Sequence, residues 1–140
     1  MNNVNLQLRS AYHQMLNGNV TVNGSNVPMF YLNVTEGDPD LYILLSSIQV
    51  TESPGSKCST MTDNSLVFTV YSRYEKNSGA EVDLVVDQLL AIIFPTVSTV
   101  VPGTMSINLV NDVVTGGFNA AKNKQICERT ITFQHLIDHQ

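Results

Sequence analysis

A segment near the middle of the chain predicts an amphipathic helix that must pack on another layer of structure. Residues 78–81 read Ser-Gly-Ala-Glu, a capping box in which serine and glutamate satisfy each other's backbone amides. The following apolar residues recur at the spacing of one helix face: Val82, Val85, Val86, Leu89, Leu90, Ile93 and Phe94. The polar residues between them, including Asp83, Asp87 and Gln88, should face solvent. Because proline lacks an amide hydrogen, we expect Pro95 to end this helix.

The N-terminal part predicts a second helix and a hairpin. Apolar residues at helical spacing between positions 4 and 17 predict the helix, which Gly18 should end. The dipeptide Asn23-Gly24 tolerates the positive φ angles of a tight turn, so residues 20–22 and 27–31 are expected to form a hairpin. Pro28 cannot donate to a strand ladder, which places the second arm at a sheet edge or a bulge.

Longer runs of apolar and β-branched residues predict the rest of the sheet, at residues 41–51, 66–74, 105–113 and 125–137. The first run is apolar on both faces in its first half, which is typical of a central strand. The second should pair antiparallel with it, and residues 115–119, Thr-Gly-Gly-Phe-Asn, predict a turn. We therefore expect a single domain over residues 1–140 in the α+β class, a mainly antiparallel β-sheet with two α-helices packed on one face.

Charge and composition exclude several classes of function. The 140 residues carry 7 basic and 12 acidic side chains, a net charge of −5, and the basic residues are scattered. Tight binding to nucleic acid is therefore not expected, because phosphate contacts need clustered cations. The N-terminus has no secretory-signal pattern, and no apolar run is long enough to span a membrane. Polarity comes mostly from Asn, Ser and Thr, which suits contact with other protein.

No pattern of catalytic or metal-binding residues is present, so we predict no enzyme activity, no cofactor and no metal. Cys58 and Cys127 lie far apart without a CxxC motif and are expected to be buried or incidental thiols. The histidines, His13, His135 and His139, lack metalloprotease spacing, and the Glu36, Asp38 and Asp40 series lacks the glycine and distal glutamate of a calcium loop. A hydrolase would need a pocket that brings His13 or His135 together with a carboxylate.

The long polar connection between the first two long strands is the candidate contact surface. Residues 52–64 are longer than a hairpin requires, and long loops in small domains are often functional. We expect this loop to project from the sheet and to contact a partner through Glu52, Lys57, Met61 and Asp63.

Several stretches in this order resemble the tail-terminator and head–tail joining proteins of long-tailed bacteriophages. They are the first helix ending at Gly18, the strand of residues 41–48 with its polar loop, the strand of residues 66–74 leading into the apolar helix, and the closing strand of residues 129–133. The resemblance covers nearly the whole chain and consists of hydrophobic patterns.

The resemblance implies a structural virion protein, assembled in the host cytoplasm and located at the tail and neck. Its copies would form a homo-oligomeric ring, usually of six, at the head-proximal end of the tail tube. There the ring would end tube growth and contact both the tail tube protein and a neck or head-completion protein. DNA would pass through without specific binding, since the chain is acidic. The alternative is a small α+β module that binds a ligand or peptide, in a groove between the sheet and the loop of residues 52–64.

Overall fold

The computed structural model describes residues 4–22, 24–32, 39–52, 61–74, 78–119 and 124–138. It contains two helices and seven strands within these ranges, and the fold is α+β, as predicted. The elements in chain order are α1 (Val4–Leu16), β1 (Thr21–Val22), β2 (Ser25–Asn26), β3 (Met29–Tyr31), β4 (Leu41–Glu52), β5 (Met61–Tyr74), α2 (Ser78–Val100), β6 (Thr104–Asn119) and β7 (Lys124–Asp138).

The main sheet has the strand order β3-β4-β5-β7-β6. All pairings are antiparallel except that of β3 with β4, which is parallel. The short β3 therefore forms one edge of the sheet and the 16-residue β6 forms the other. A hairpin forms at the predicted turn as the separate pair β1–β2, but its second arm is residues 25–26, and residues 29–31 of the predicted arm belong to the main sheet as β3. Pro28 precedes the edge strand β3, as its missing amide requires, and its carbonyl accepts a hydrogen bond from the Ile43 amide at 2.9 Å.

Both helices pack on one face of this sheet and create the core between the two layers. The Tyr12 ring of α1 lies 5.7 Å from the Phe68 ring of β5, and the Phe94 ring of α2 lies 5.9 Å from the Phe133 ring of β7. The predicted stripe of α2 is confirmed at five positions that are fully buried: Val82, Val85, Val86, Leu89 and Ile93. Phe94 differs from the prediction, because 43% of it is exposed at the flank of the helix.

The predicted end of α2 at Pro95 is wrong, since the helix continues to Val100. The same apolar period extends beyond the proline and buries Val97 and Val101. Burying two such side chains contributes about 3 kcal/mol or more, which matches the roughly 3 kcal/mol cost of an internal proline. The Thr96 hydroxyl also donates to the Ile92 carbonyl within this last part of the helix. A proline on the exposed side of a well-packed helix is thus tolerated.

Two segments predicted to be loops are strands. Residues 61–64 extend β5, because Thr62 and Asn64 continue its buried alternation and the Asn64 side-chain amide donates to the His135 carbonyl at 2.9 Å. Residues 115–119 extend β6, and their two glycines pair with Cys127 and Ile126 of β7. In both places the ladder of a neighbouring strand outweighs local turn propensity.

Candidate interaction surfaces

Three of the four residues predicted to make the contact lie within the sheet. Glu52 is the last residue of β4 and pairs with Thr62, while Met61 and Asp63 belong to β5. Asp63 accepts a hydrogen bond from the Gln134 side chain of β7 at 2.8 Å. Lys57 lies outside the described residues. The prediction of one projecting loop from residue 52 to 64 is therefore wrong at both ends, and the predicted contact through these four residues stays untested.

The most exposed apolar surface lies instead on β6. Between Thr104 and Gly117 only Thr104 and Ile107 are half-buried, and every other residue is exposed. This includes large apolar side chains at Met105, Leu109, Val110, Val113 and Val114. Because β6 is the last strand of the sheet, its outer backbone groups have no strand partner among the described residues. Natural edge strands are usually protected by lysine or proline, and residues 104–119 contain neither.

Sequence reasoning identified β6 as a strand but missed its role as an edge. A usable signal was present, because the apolar alternation of residues 105–109 breaks at Asn111 and Asp112, two adjacent polar residues that fall on opposite faces of a strand. The strand order depends on contacts between distant parts of the chain. No local pattern revealed that β7 would insert between β5 and β6.

An ion-pair cluster joins α2 to β6 along this side of the molecule. Arg129 of β7 donates to both carboxylate oxygens of Asp112 at 2.8 and 2.7 Å, and to Asp83 of α2 at 2.9 Å. The hydrogen bonds from Arg129 lower the pKa of Asp112 and raise the pKa of Arg129 itself. One guanidinium thus faces two carboxylates, which leaves this flank with net negative charge. Asp87, one helical turn beyond Asp83, is exposed and adds to that charge.

The opposite edge of the sheet is small and carries basic side chains. The Arg9 guanidinium of α1 lies over the Tyr31 ring, 4.8 Å from its centroid, in a cation–π contact. His13 is exposed one turn further along α1. Both side chains line a cavity of about 470 Å³ together with β3. The two ends of the sheet therefore differ in charge as well as in length.

A polar cluster centred on the fully buried His135 fixes the position of α1 on the sheet. Tyr12 of α1 and Thr104 of β6 contact the two ring nitrogens of His135, at 3.0 Å from Nδ1 and 2.8 Å from Nε2. The Thr104 hydroxyl donates its proton to the Val101 carbonyl at 2.7 Å, so it accepts from His135 Nε2–H. His135 Nδ1 then accepts from the Tyr12 hydroxyl. Burial lowers the pKa of His135 to about 4 and raises the pKa of Tyr12.

This cluster has the geometry of a structural network. Tyr12 and His135 have no exposed surface, and the ring partners of His135 are hydroxyl groups rather than a carboxylate. The arrangement that a hydrolase would need around His135 is thus not formed by these partners. Of the other two histidines, His13 is exposed and His139 lies outside the described residues.

The other polar candidates take part in structural contacts or lie outside the described ranges. Asp40 accepts from Arg73 at 3.0 Å and from Lys124 at 3.1 Å, which ties together the ends of β5 and β7. Burial acts to raise the pKa of Asp40, but the hydrogen bonds from Lys124 and Arg73 outweigh it and the pKa is lowered. Cys127 is a buried free thiol whose pKa burial raises. Glu36, Asp38 and Cys58 lie outside the described residues, within which no three potential metal ligands cluster.

A cavity lies beside Ile137 and Asp138, whose register partners Thr62 and Met61 belong to the segment predicted to form the loop. It measures about 650 Å³ and lies between α1 and the end of α2, bordered by Leu6, Ala11, Val101, Pro102 and Ile137. Its walls are mainly apolar. Its size is within the range of small-molecule sites.

Among the helices described, neither combines the length and the apolarity needed to cross a membrane. Comparison of the chain with protein-family models and with curated proteins finds no match in either set.

Proposed function

We propose that this chain is a structural virion protein that forms a ring at the head-proximal end of a phage tail tube. The ring contains six copies, as the resemblance implies, and it ends tube growth and joins the tail to a neck or head-completion protein. The copies act without a cofactor or a catalytic residue. The resemblance stated from the sequence and the exposed edge of β6 support this proposal.

The observation that carries the proposal is the long edge strand, which has no lysine or proline, although its register shifts at two points. Sixteen residues of β6 end the sheet, and Val110 and Val114 are 54% and 59% exposed. Such an edge pairs readily with a strand of another chain. In a monomer this surface would be an aggregation hazard, whereas in a ring each copy covers the edge of its neighbour. Closed head-to-tail association also stops growth within the plane of the ring.

The charge of the chain supports a conduit for DNA. Its net charge is −5, and Arg73, Lys124 and Arg129 are each engaged with carboxylates. A ring of such chains would repel a DNA duplex from its lumen rather than hold it.

A test is to follow the tagged chain during phage assembly. We expect purified virions to carry the tag at the junction between head and tail, visible by immunogold electron microscopy. Loss of the protein should give separate heads and tails with tubes of abnormal length. The proposal would be overturned by virions that lack the protein and yet have joined tails of normal length.

The cavity next to α1 favours a second candidate, a small module that binds a ligand or peptide. It is apolar and measures about 650 Å³. Substitution of Ala11, which borders it, by tryptophan would fill it. If this variant folds and loses a ligand that the parent protein retains on purification, the binding module is the better description.

A further inference from the structure

The two edges of the sheet are complementary in direction. Because β6 is antiparallel to β7 and β3 is parallel to β4, β3 and β6 run in opposite directions in the same sheet. A second copy placed beside β6 in the same orientation therefore presents its β3 antiparallel to that strand. Antiparallel pairing is the more stable arrangement per residue.

The helical layer leaves a space where this second copy would lie. The Tyr12–Phe68 and Phe94–Phe133 ring contacts place the helices over the middle of the sheet. On the helix side of β6, Leu109 and Val114 are consequently 36% and 59% exposed. In a copy added in the same orientation, the Arg9 side of α1 lies against that copy's β3 and would face these side chains.

The charges of the two ends also match along one row of the sheet. Register pairs connect Tyr31, Leu45, Phe68, Ile131 and Asp112 across all five strands. At the β3 end of this row Arg9 lies over Tyr31, and at the β6 end Asp112 shares Arg129 with Asp83. Addition in the same orientation thus brings the basic flank of one copy to the acidic flank of the next.

From these three observations we propose that the β6 edge binds the β3–α1 edge of a second copy of this chain, head to tail. This inference rests on the proposed ring and names its subunit interface. A symmetric β6–β6 dimer is disfavoured, since it would place the acidic flanks of both copies, with Asp83 and Asp112, against each other.

The first test places a lysine on the exposed edge. Val114→Lys should shift the purified full-length chain from a discrete oligomer of three or more copies to a monomer, with its dissociation concentration raised at least tenfold. The matched control is Leu84→Lys, because Leu84 is 50% exposed on the side of α2 that faces away from the sheet. The control should keep the mass of the parent oligomer. Sedimentation velocity gives the masses, and circular dichroism confirms that each variant is folded.

A second pair of variants lies on the helices and avoids the sheet. Arg9→Glu and Asp87→Lys should each weaken association about tenfold, and the double variant should recover most of the parent affinity. If Val114→Lys fails to fold, the single and double charge variants still test the interface. Recovery would not occur if these residues acted only within one copy, since Arg9 lies at the β3 end of the sheet and Asp87 is one helical turn from Asp83, which shares Arg129 with Asp112 at the β6 end.

The possible outcomes separate this inference from the proposed function. If neither set of variants changes the mass of the oligomer, the proposed interface is wrong and the proposal of a ring still stands. A parent protein that forms only dimers overturns the head-to-tail arrangement, and one that stays monomeric at all concentrations overturns the ring together with its interface. An open filament that the variants dissolve supports the interface and overturns the closed ring.

Discussion

The two edge strands of the sheet, β3 and β6, differ in length and in the residues beside them. At one edge, β3 has three residues, follows Pro28 and lies beside Arg9 of α1. At the other, β6 has 16 residues and leaves apolar side chains such as Val114 in solvent. A short edge with a nearby proline and a cation restricts pairing to a partner that matches it in shape and charge. The β6 edge is long and has no lysine or proline, which is consistent with the proposed pairing to a second copy.

The largest effect should distinguish the covered part of the sheet from its open edge. Leu66 and Leu109 pair with Phe133 from opposite sides, but Leu66 is fully buried and Leu109 is 36% exposed. We expect Leu66→Ala to lower the free energy of unfolding by about 3 kcal/mol, and Leu109→Ala to lower it by no more than about 1 kcal/mol. Urea unfolding of both variants measures this. Equal losses would show that the β6 edge is part of the core.

The next effect is the dependence of stability on pH, which should follow from His135, the residue that contacts Tyr12 of α1. The pKa of His135 is about 4 in the folded protein, below its ordinary value of 6.5, because burial disfavours the charged ring. The unfolded chain therefore binds a proton first as the pH falls. Stability should be constant above pH 6.5, fall between pH 6.5 and 4, and level off below pH 4 with respect to this group.

The size of this effect follows from the shift and can be isolated with one variant. A shift of this size corresponds to a loss of about 3 kcal/mol. His135→Gln cannot titrate, so its stability should change less across this range than that of the parent. Thermal melts from pH 7 to 4 compare the two. If the melting temperatures of the parent and the variant change equally with pH, protonation of His135 does not lower the stability of the folded protein.

Much of this fold could be predicted because the helical stripe and the strand alternation are local. Val82, Val85 and Val86 were placed correctly on the buried face of α2, and a hairpin formed at the predicted turn, though with residues 25–26 instead of 27–31 as its second arm. The end of α2 could not be predicted, since packing of Val97 in the core offsets the proline. The β6 edge depends on which strand lies beside which, and the register of β7 between β5 and β6 is decided by long-range pairing.

A smaller effect should come from the ion pairs that join β6 to α2. Asp112→Ala removes the two hydrogen bonds from Arg129 but leaves Asp83 as a partner. Because these groups are partly exposed and screened by solvent, we expect a loss of about 1 kcal/mol or less. The loss should shrink at high salt. A loss of several kcal/mol that does not depend on salt would mean that the ion pairs contribute as much to stability as the buried core contacts of β5.

The smallest expected effect is the affinity of the protein for duplex DNA. Its measurement tests whether the edge near Arg9 binds phosphate groups. Of the basic residues described, Arg73, Lys124 and Arg129 pair with carboxylates, and Arg9 lies over Tyr31. Since affinity for phosphates rises with the number of clustered cations, the protein should show no appreciable affinity for duplex DNA at physiological salt. Fluorescence anisotropy with a labelled duplex measures this, and Asp83→Lys combined with Asp87→Lys gives a control that concentrates positive charge on the acidic flank. Binding of the parent with a steep dependence on salt would contradict both the conduit and the reading of the two edges as surfaces for protein.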